Sequence, residues 1–206
     1  AKLRELSEES SKLSLLFSQN LLKENKAFTL DITDEKQLDG LPDTVREAAR
    51  DTAKEQGKEG WVFTLDAPSY GPFMMYSTQR DLRKKLYMAR AKQGANDNEN
   101  NNLEICKRIV NVRRELAQLL GYKTYADYVM KYRMASNVKT VYKLLDDLIV
   151  AYKPTAIKES DEVKALAKKT EGEDFELMPW DSAYYSHKLK LQKFDLDPEM
   201  LRPYLE

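Results

Sequence analysis

Residues 138–152 read VKTVYKLLDDLIVAY, and this stretch has the clearest periodic pattern in the chain. Its apolar side chains recur every three or four residues, at Val138, Val141, Tyr142, Leu145, Leu148, Ile149 and Tyr152. That spacing places them on one face of a long α-helix, for which Asn137 is the expected N-cap. Because Pro154 has no amide donor and restricts the residue before it, we expect it to kink the helix or to end it near Lys153.

Helical spacing also recurs on both sides of this stretch. Together with cap signals, it predicts helices at the start of the chain through Leu21 and over about residues 44–56, 79–92, 103–120, 125–129 and 184–191. The expected caps are Thr44 with Glu47 at the start and Gly57 at the end of the helix over residues 44–56, Thr124 with Asp127 for residues 125–129, and Asp181 for residues 184–191. Two shorter runs, residues 27–32 and 61–65, have the composition of strands and can pair as a ribbon. The predicted fold class is therefore mainly α, a multi-helix bundle-like array with one small two-stranded β-ribbon.

The segments between these elements carry turn and loop signals. Residues 68–72 combine two prolines with a glycine and predict a turn, and residues 93–102 are polar and rich in asparagine. We take the asparagine-rich stretch as the candidate for a subdomain boundary. In the helix that follows, one face is predicted to carry Leu103, Cys106, Val110, Arg113, Ala117 and Leu120. Cys106 is therefore expected to be a small buried residue rather than a reactive thiol.

Composition excludes several classes of function. Lysine plus arginine and aspartate plus glutamate both number 34, so the chain has no basic excess of the kind that nucleic-acid binders carry. No apolar run approaches the roughly 20 residues that span a bilayer. The P-loop and the dinucleotide-binding glycine pattern are absent. We therefore predict a soluble protein without nucleic-acid or membrane partners, and the sequence leaves a cytoplasmic or a periplasmic location open.

Few side chains are candidates for chemistry. His187 is the only histidine, and without a second ligand or a nucleophile we expect a surface or packing role for it. Aromatic residues are more distinctive, namely Trp61, Tyr70, Phe73, Tyr76, Trp180, Tyr184 and Tyr185. Such residues can line a peptide-binding wall, with rings for apolar side chains and hydroxyls for the backbone. They can equally be core residues with one polar tip, and the residues alone favour the core.

The segment Met178–Lys188, MPWDSAYYSHK, resembles the Pro-Trp-Asp-x-x-Tyr-Tyr segment of the thimet oligopeptidase and dipeptidyl carboxypeptidase family of zinc peptidases. Other short segments resemble that family in the same order, namely residues 17–22 (FSQNLL), 38–42 (LDGLP), 61–65 (WVFTL), 68–70 (PSY), 72–74 (PFM), 80–83 (RDLR), 119–122 (LLGY), 125–127 (YAD) and 134–135 (MA). Each motif is weak alone, but their shared order covers nearly the whole chain and is specific.

The resemblance implies an elongated, mostly helical fold with a deep channel and a zinc ion held by an H-E-x-x-H motif and a later glutamate. That motif needs two histidines, and this sequence has one. We therefore expect residues 1–206 to be an internal, non-catalytic region of a longer zinc peptidase, with no catalytic or metal residue and no cofactor of its own. The implied partners are short peptide substrates and the C-terminal catalytic half of the same polypeptide.

Within this region we predict that Tyr70, Trp180, Tyr184 and Tyr185 contact substrate. The sequence leaves open whether the parent enzyme is an endo-oligopeptidase or a dipeptidyl carboxypeptidase. The alternative is a stand-alone helical module that binds peptides or proteins without cutting them. Such a module would need a self-contained core and helix ends that leave no apolar stripe exposed.

Overall fold

The computed structural model describes residues 1–200, in which eight α-helices and one two-stranded sheet form. The helices are α1 (Lys2–Ala27), α2 (Asp43–Glu55), α3 (Ala67–Tyr76), α4 (Arg80–Ala91), α5 (Leu103–Leu119), α6 (Tyr125–Met130), α7 (Val138–Glu171) and α8 (Ser182–Phe194). The strands are β1 (Leu30–Ile32) and β2 (Trp61–Phe63), which pair antiparallel with Asp31 opposite Val62. The mainly α prediction with one small ribbon is confirmed.

The chain divides into two compact units. The first contains residues 1–27 and 92–156, and the second contains residues 28–91 and the described residues from 157 onward. Helix α7 belongs to the first unit up to Ala156 and to the second from Ile157. The asparagine-rich stretch at residues 93–102, our candidate for a subdomain boundary, lies inside the first unit.

In the second unit, the ribbon supplies the centre of the largest core. Alternate residues of β1 are buried, and all three residues of β2 are buried. They pack with residues of α2, α3 and α4, and the buried members of this core are Leu30, Ile32, Leu38, Leu41, Ala49, Trp61, Phe63, Leu65, Phe73, Met74, Tyr76 and Leu86. A two-stranded ribbon is marginal alone, so it depends on these helices for its stability.

The predicted turn at residues 68–72 is wrong, because this stretch lies inside α3. Pro68 stands in the first turn of the helix, where a missing amide donor has no cost. Pro72 lies further inside the same helix. The buried side chains of Phe73 and Met74 hold the segment helical through their packing in the core, which outweighs the local turn signal.

In the first unit, α1 packs against α5 around Leu6, Val112 and Leu116. The predicted face of α5 is largely wrong, although Ala117, one of its members, is buried. Val110 is 66% exposed and Cys106 is exposed, whereas Val112 is completely buried. A helix turns 100° per residue, so positions 110 and 112 face nearly opposite sides, and the buried side is the one that includes positions 112 and 116.

Helix α7 does not end near Lys153, which was one of the two outcomes expected of Pro154, but continues past this proline to Glu171. Asn137 accepts a hydrogen bond from the Thr140 amide at 2.9 Å, as expected for its N-cap. Most of the apolar side chains that predicted this helix are exposed, namely Tyr142, Leu145, Leu148, Ile149 and Tyr152, and so are Leu144, Val150 and Ile157 of the same helix. None of the helices within residues 1–200 has the length and apolarity needed to span a bilayer.

Candidate functional site

Asp181 is the centre of the most strongly connected polar group in the second unit. Its carboxylate is fully buried and accepts hydrogen bonds from two arginines of α4. Arg80 donates from Nη2 to Oδ2 at 2.7 Å and from Nε to both oxygens at 3.1 Å. Arg83 donates from Nη2 to Oδ1 at 2.8 Å, and the Met178 amide donates to Oδ2 at 3.1 Å. We call Asp181 with these two arginines the Asp181 clamp.

The electrostatics of the clamp keep Asp181 ionised. Burial alone would raise the pKa of its carboxyl, but the hydrogen bonds from Arg80 and Arg83 outweigh burial and lower that pKa. Arg83 is almost fully buried and uses its other donors on the Ser77 carbonyl at 2.6 Å and the Trp180 carbonyl at 3.2 Å. Two cations therefore surround one anion, and every group has hydrogen-bond partners, which a buried ion pair needs in order to be tolerated.

The clamp joins two motifs of the family resemblance that are about a hundred residues apart. Arg80 and Arg83 are the arginines of the RDLR segment, and Asp181 is the acid of the Pro-Trp-Asp segment. Sequence analysis had assigned Asp181 as the cap of the next helix. Although it stands at the N-cap position of α8, its side chain makes no capping hydrogen bond and binds the arginines instead. The spacing of three residues between the arginines was the available signal, because it places both on one side of a helix.

Tyr184 and Tyr185, two of the four predicted substrate residues, lie beneath the clamp. Tyr184 is buried, and the Arg83 guanidinium stacks over its ring at 4.3 Å. Tyr185 is 2% exposed and its hydroxyl donates to Glu171 Oε1 at 2.7 Å. Burial and the hydrogen bond to Glu171 raise the pKa of Tyr185 well above its usual range. Both rings pack with Ala167 of α7 in a small separate core.

Tyr70 and Trp180, the other two, are only partly buried and pack on the edge of the main core. The Arg90 guanidinium lies 4.2 Å from the centre of the Tyr70 ring, and Lys84 Nζ lies 5.1 Å from the centre of the Trp180 ring. Tyr87 meets Trp180 edge to face, with the ring centres 6.2 Å apart. The structure thus separates the four residues into a buried pair and a pair that reaches the surface.

His187, for which the sequence predicted a surface or packing role, packs against Tyr76. Its ring meets the Tyr76 ring edge to face at 4.7 Å, and its Nε2 lies 3.8 Å from Asp197 Oδ2. The Tyr76 hydroxyl donates to Asp197 Oδ1 at 2.6 Å. Within residues 1–200, no three His, Cys, Asp or Glu side chains are placed to hold a metal ion, so no residue here is assigned to a zinc site.

In the second unit, the buried ion cluster thus joins the loop before α8 to α4, and Trp180 lies in this loop. Residues 73–206 match the sequence model of Peptidase family M3. The chain belongs to this family, which confirms the resemblance.

Similarity to individual proteins agrees with this family membership. Oligopeptidase A of Escherichia coli (strain K12) is 38% identical over 204 residues, which cover 97% of this chain. The organellar oligopeptidase A of Arabidopsis thaliana is 35% identical over 97% of the chain, and the dipeptidyl carboxypeptidase of E. coli is 30% identical over all of it. The matches cover 30%, 26% and 30% of these relatives, so the chain spans less than a third of their length.

Proposed function

We propose that this chain is a non-catalytic part of a longer zinc-dependent peptidase that hydrolyses short peptides. Two findings support this proposal. The chain belongs to Peptidase family M3, and its relatives are named as oligopeptidases and dipeptidyl carboxypeptidases. The zinc ion would be held by residues outside this chain, and no step of the reaction is assigned to its side chains.

The observation that carries the proposed role is the Asp181 clamp. A buried carboxylate held by two arginines fixes the Pro-Trp-Asp loop to α4, and this is a rigid support on which a substrate-facing wall can be built. We propose that Tyr70 and Trp180 belong to the substrate-channel wall, since both are partly exposed. For Tyr184 and Tyr185 direct substrate contact stays a prediction, and their burial favours a supporting role.

The exposed apolar side chains of α7 support the second proposed partner, the C-terminal catalytic half of the same polypeptide. Exposed apolar surface of this extent is uncommon on a soluble protein that functions alone. We propose that the further part of the polypeptide covers this surface.

The test compares this chain with the longer protein on an internally quenched peptide of about ten residues. We expect the longer protein to cleave it, a chelator to abolish cleavage, and added zinc to restore it, whereas residues 1–206 alone cleave nothing. Chelator-sensitive cleavage by residues 1–206 alone would contradict the non-catalytic role. Failure of the chelator to inhibit the longer protein would contradict the zinc dependence.

The channel-wall role is tested separately in the longer protein. Trp180→Ala should raise KM several-fold with a smaller change in kcat, because it removes binding surface rather than a reacting group. Tyr132→Ala is the matched control, since Tyr132 is 71% exposed and belongs to the other unit. Equal KM values for both variants would remove Trp180 from the wall.

A further inference from the structure

A strip of alternating cations and aromatic rings runs along one side of α4 in the second unit. It consists of Tyr70, Lys84, Tyr87, Arg90 and Trp180, and we call it the cation–aromatic strip. Its three members on α4 are spaced three residues apart, so they share one side of the helix. Arg90 lies over the Tyr70 ring and Lys84 over the Trp180 ring, with Tyr87 in edge contact with Trp180.

The two cations of the strip have no acidic partner within residues 1–200. Both are exposed, and each lies over an aromatic ring instead of beside a carboxylate. The sequence contains no aspartate or glutamate between Asp81 and Asp97, whereas it contains five lysines and arginines there. In contrast, the neighbouring Arg80 and Arg83 both form ion pairs with Asp181. The positive charges of Lys84 and Arg90 on this side of α4 can therefore bind an external anion.

The strip is also held in place before any ligand arrives. Tyr70, Tyr87 and Trp180 pack their inner sides against the main core, and the Trp180 carbonyl is bound by Arg83 of the clamp. Burial of Tyr70 raises the pKa of its hydroxyl more than Arg90 lowers it, so the hydroxyl stays protonated and can donate. Rings fixed in this way position the cations above them and reduce the entropy lost on binding.

We infer that the cation–aromatic strip is a docking surface for the carboxylate side chains of an acidic peptide segment. Lys84 and Arg90 are six residues apart, which corresponds to about 9 Å along the helix axis. Neighbouring acidic side chains of an extended peptide reach over that distance. The ring edges and the Tyr70 hydroxyl supply contacts for the aliphatic and backbone groups between the carboxylates. The inference rests on the proposed function, because it names the kind of peptide that the region would take.

A peptide fits this surface better than a nucleic acid does. Single-stranded nucleic acids bind by stacking bases on open aromatic faces. Here Arg90 already covers one face of the Tyr70 ring and Lys84 one face of the Trp180 ring, and both rings also pack against the core.

The test measures binding of uncleaved peptides to residues 1–206 by titration calorimetry at low salt. The probes are a blocked heptapeptide with four glutamates, the same peptide with four glutamines, and the same peptide with four lysines. We expect only the glutamate peptide to bind, and its affinity to fall as salt is added. The double variant Lys84→Gln/Arg90→Gln should weaken binding by about 2- to 25-fold, since each of the two exposed charge pairs that it removes contributes a factor of up to about five.

Two further variants make the result specific. Arg133→Gln/Lys139→Gln removes the same two charges from exposed positions of the first unit and should leave the affinity unchanged. Lys84→Glu/Arg90→Glu should reverse the preference for the glutamate peptide, so that the lysine peptide binds better than the glutamate peptide.

Equal binding of the glutamate and glutamine peptides, or no binding of any of them, would overturn the inference. Tighter binding of a single-stranded oligonucleotide than of the glutamate peptide would overturn it in favour of nucleic acid. Because no cleavage is measured, these outcomes are independent of whether the longer protein is a peptidase.

Discussion

At the scale of single residues, the least predictable feature is the use of Asp181. An aspartate directly before a helical pattern indicates an N-cap, and Asp181 does occupy the N-cap position of α8. Its carboxylate nevertheless turns inward, because two buried or half-buried guanidinium groups offer four hydrogen bonds where a helix start offers one or two. Local sequence shows which groups can bond, but partners a hundred residues away decide which bond forms.

Replacing Asp181 with asparagine should destabilise the second unit strongly. The change leaves the guanidinium of the nearly inaccessible Arg83 without a counter-charge, and breaking a buried ion pair in this way costs about 3–5 kcal/mol. Both tryptophans of the chain, Trp61 and Trp180, lie in this unit, so urea unfolding followed by tryptophan fluorescence reports on it.

The control for this variant is Asp51→Asn. Asp51 forms an exposed pair with Lys54 at 2.8 Å in the same unit, and such pairs contribute at most about 1 kcal/mol. A loss for Asp181→Asn no larger than the loss for Asp51→Asn would show that the clamp does not stabilise the fold.

Glu24 is the corresponding buried carboxylate of the first unit, and it predicts a pH dependence. It accepts hydrogen bonds from the Gly94 amide and from the side chains of Asn96 and Asn98. Burial raises the pKa of the Glu24 carboxyl, but these donors outweigh burial and lower that pKa. A lowered folded-state pKa means that the stabilisation is present above the ordinary value of about 4.3 and is lost as pH falls through the folded value.

Glu24→Gln should therefore destabilise the chain by about 1–3 kcal/mol at pH 7, because donors that now meet a carboxylate are left with poorer partners. The difference from the unsubstituted chain should shrink as the pH is lowered below about 4. Circular dichroism in urea at several pH values measures it. Glu104→Gln, which alters only an exposed pair with Lys107, should show no such convergence. A constant difference at all pH values would mean that the charge of Glu24 is not involved.

At the scale of elements, the sequence predicted the helices and strands well and their contacts poorly. Predicted helix α2 over residues 44–56 is observed at Asp43–Glu55, and Gly57 ends it as expected, with a positive φ of 66°. Its predicted capping box at Thr44 is wrong, because Pro42 occupies the N-cap position. The Thr124 and Asp127 capping box of α6 is confirmed. Elements follow from local spacing, whereas the choice among several apolar faces depends on which neighbour packs there.

Two valines of α5 test the corrected face directly. Val112→Ala should lower the free energy of unfolding by about 1–3 kcal/mol, since it removes two buried methyl groups from the contact with Leu6 and Leu116. Val110→Ala is the same change on the same helix at a position that is 66% exposed, and it should cost less than about 0.5 kcal/mol. Urea unfolding followed by circular dichroism compares the two, and a larger cost at position 110 would restore the face that the sequence indicated.

The asparagine-rich stretch shows a different limit of prediction. Its composition correctly indicated a loop, but not that the loop is tied to α1. Asn102 donates to the Phe17 carbonyl at 3.0 Å and accepts from the Asn20 side chain at 3.0 Å, and both partners belong to the FSQNLL motif. The FSQNLL motif is thus joined to a loop about eighty residues further along the chain, as the RDLR and Pro-Trp-Asp segments are joined to each other by the clamp. Hydrogen bonds between residues this far apart in sequence cannot be predicted from local periodicity.

At the scale of the whole molecule, the fold stabilises α7 unevenly. From Tyr142 to Asp161 every residue is exposed, and the backbone there depends on the hydrogen bonds of the helix itself. Further along, Val163 and Ala167 pack with Tyr184 and Tyr185. Most helical stability in proteins comes from such packing rather than from intrinsic propensity.

Hydrogen exchange followed by mass spectrometry should therefore divide α7 in two. Amides of residues 144–157 should exchange at least about tenfold faster than those of residues 165–169, because local opening costs less free energy where nothing packs on the helix. Equal protection along α7 would contradict this reasoning and would mean that its apolar side is covered in solution. Repeating the measurement at several protein concentrations identifies the cover, since protection that rises with concentration requires a second copy of the chain. In the longer protein the same amides should be protected at every concentration, because the proposed catalytic half then covers them within one polypeptide.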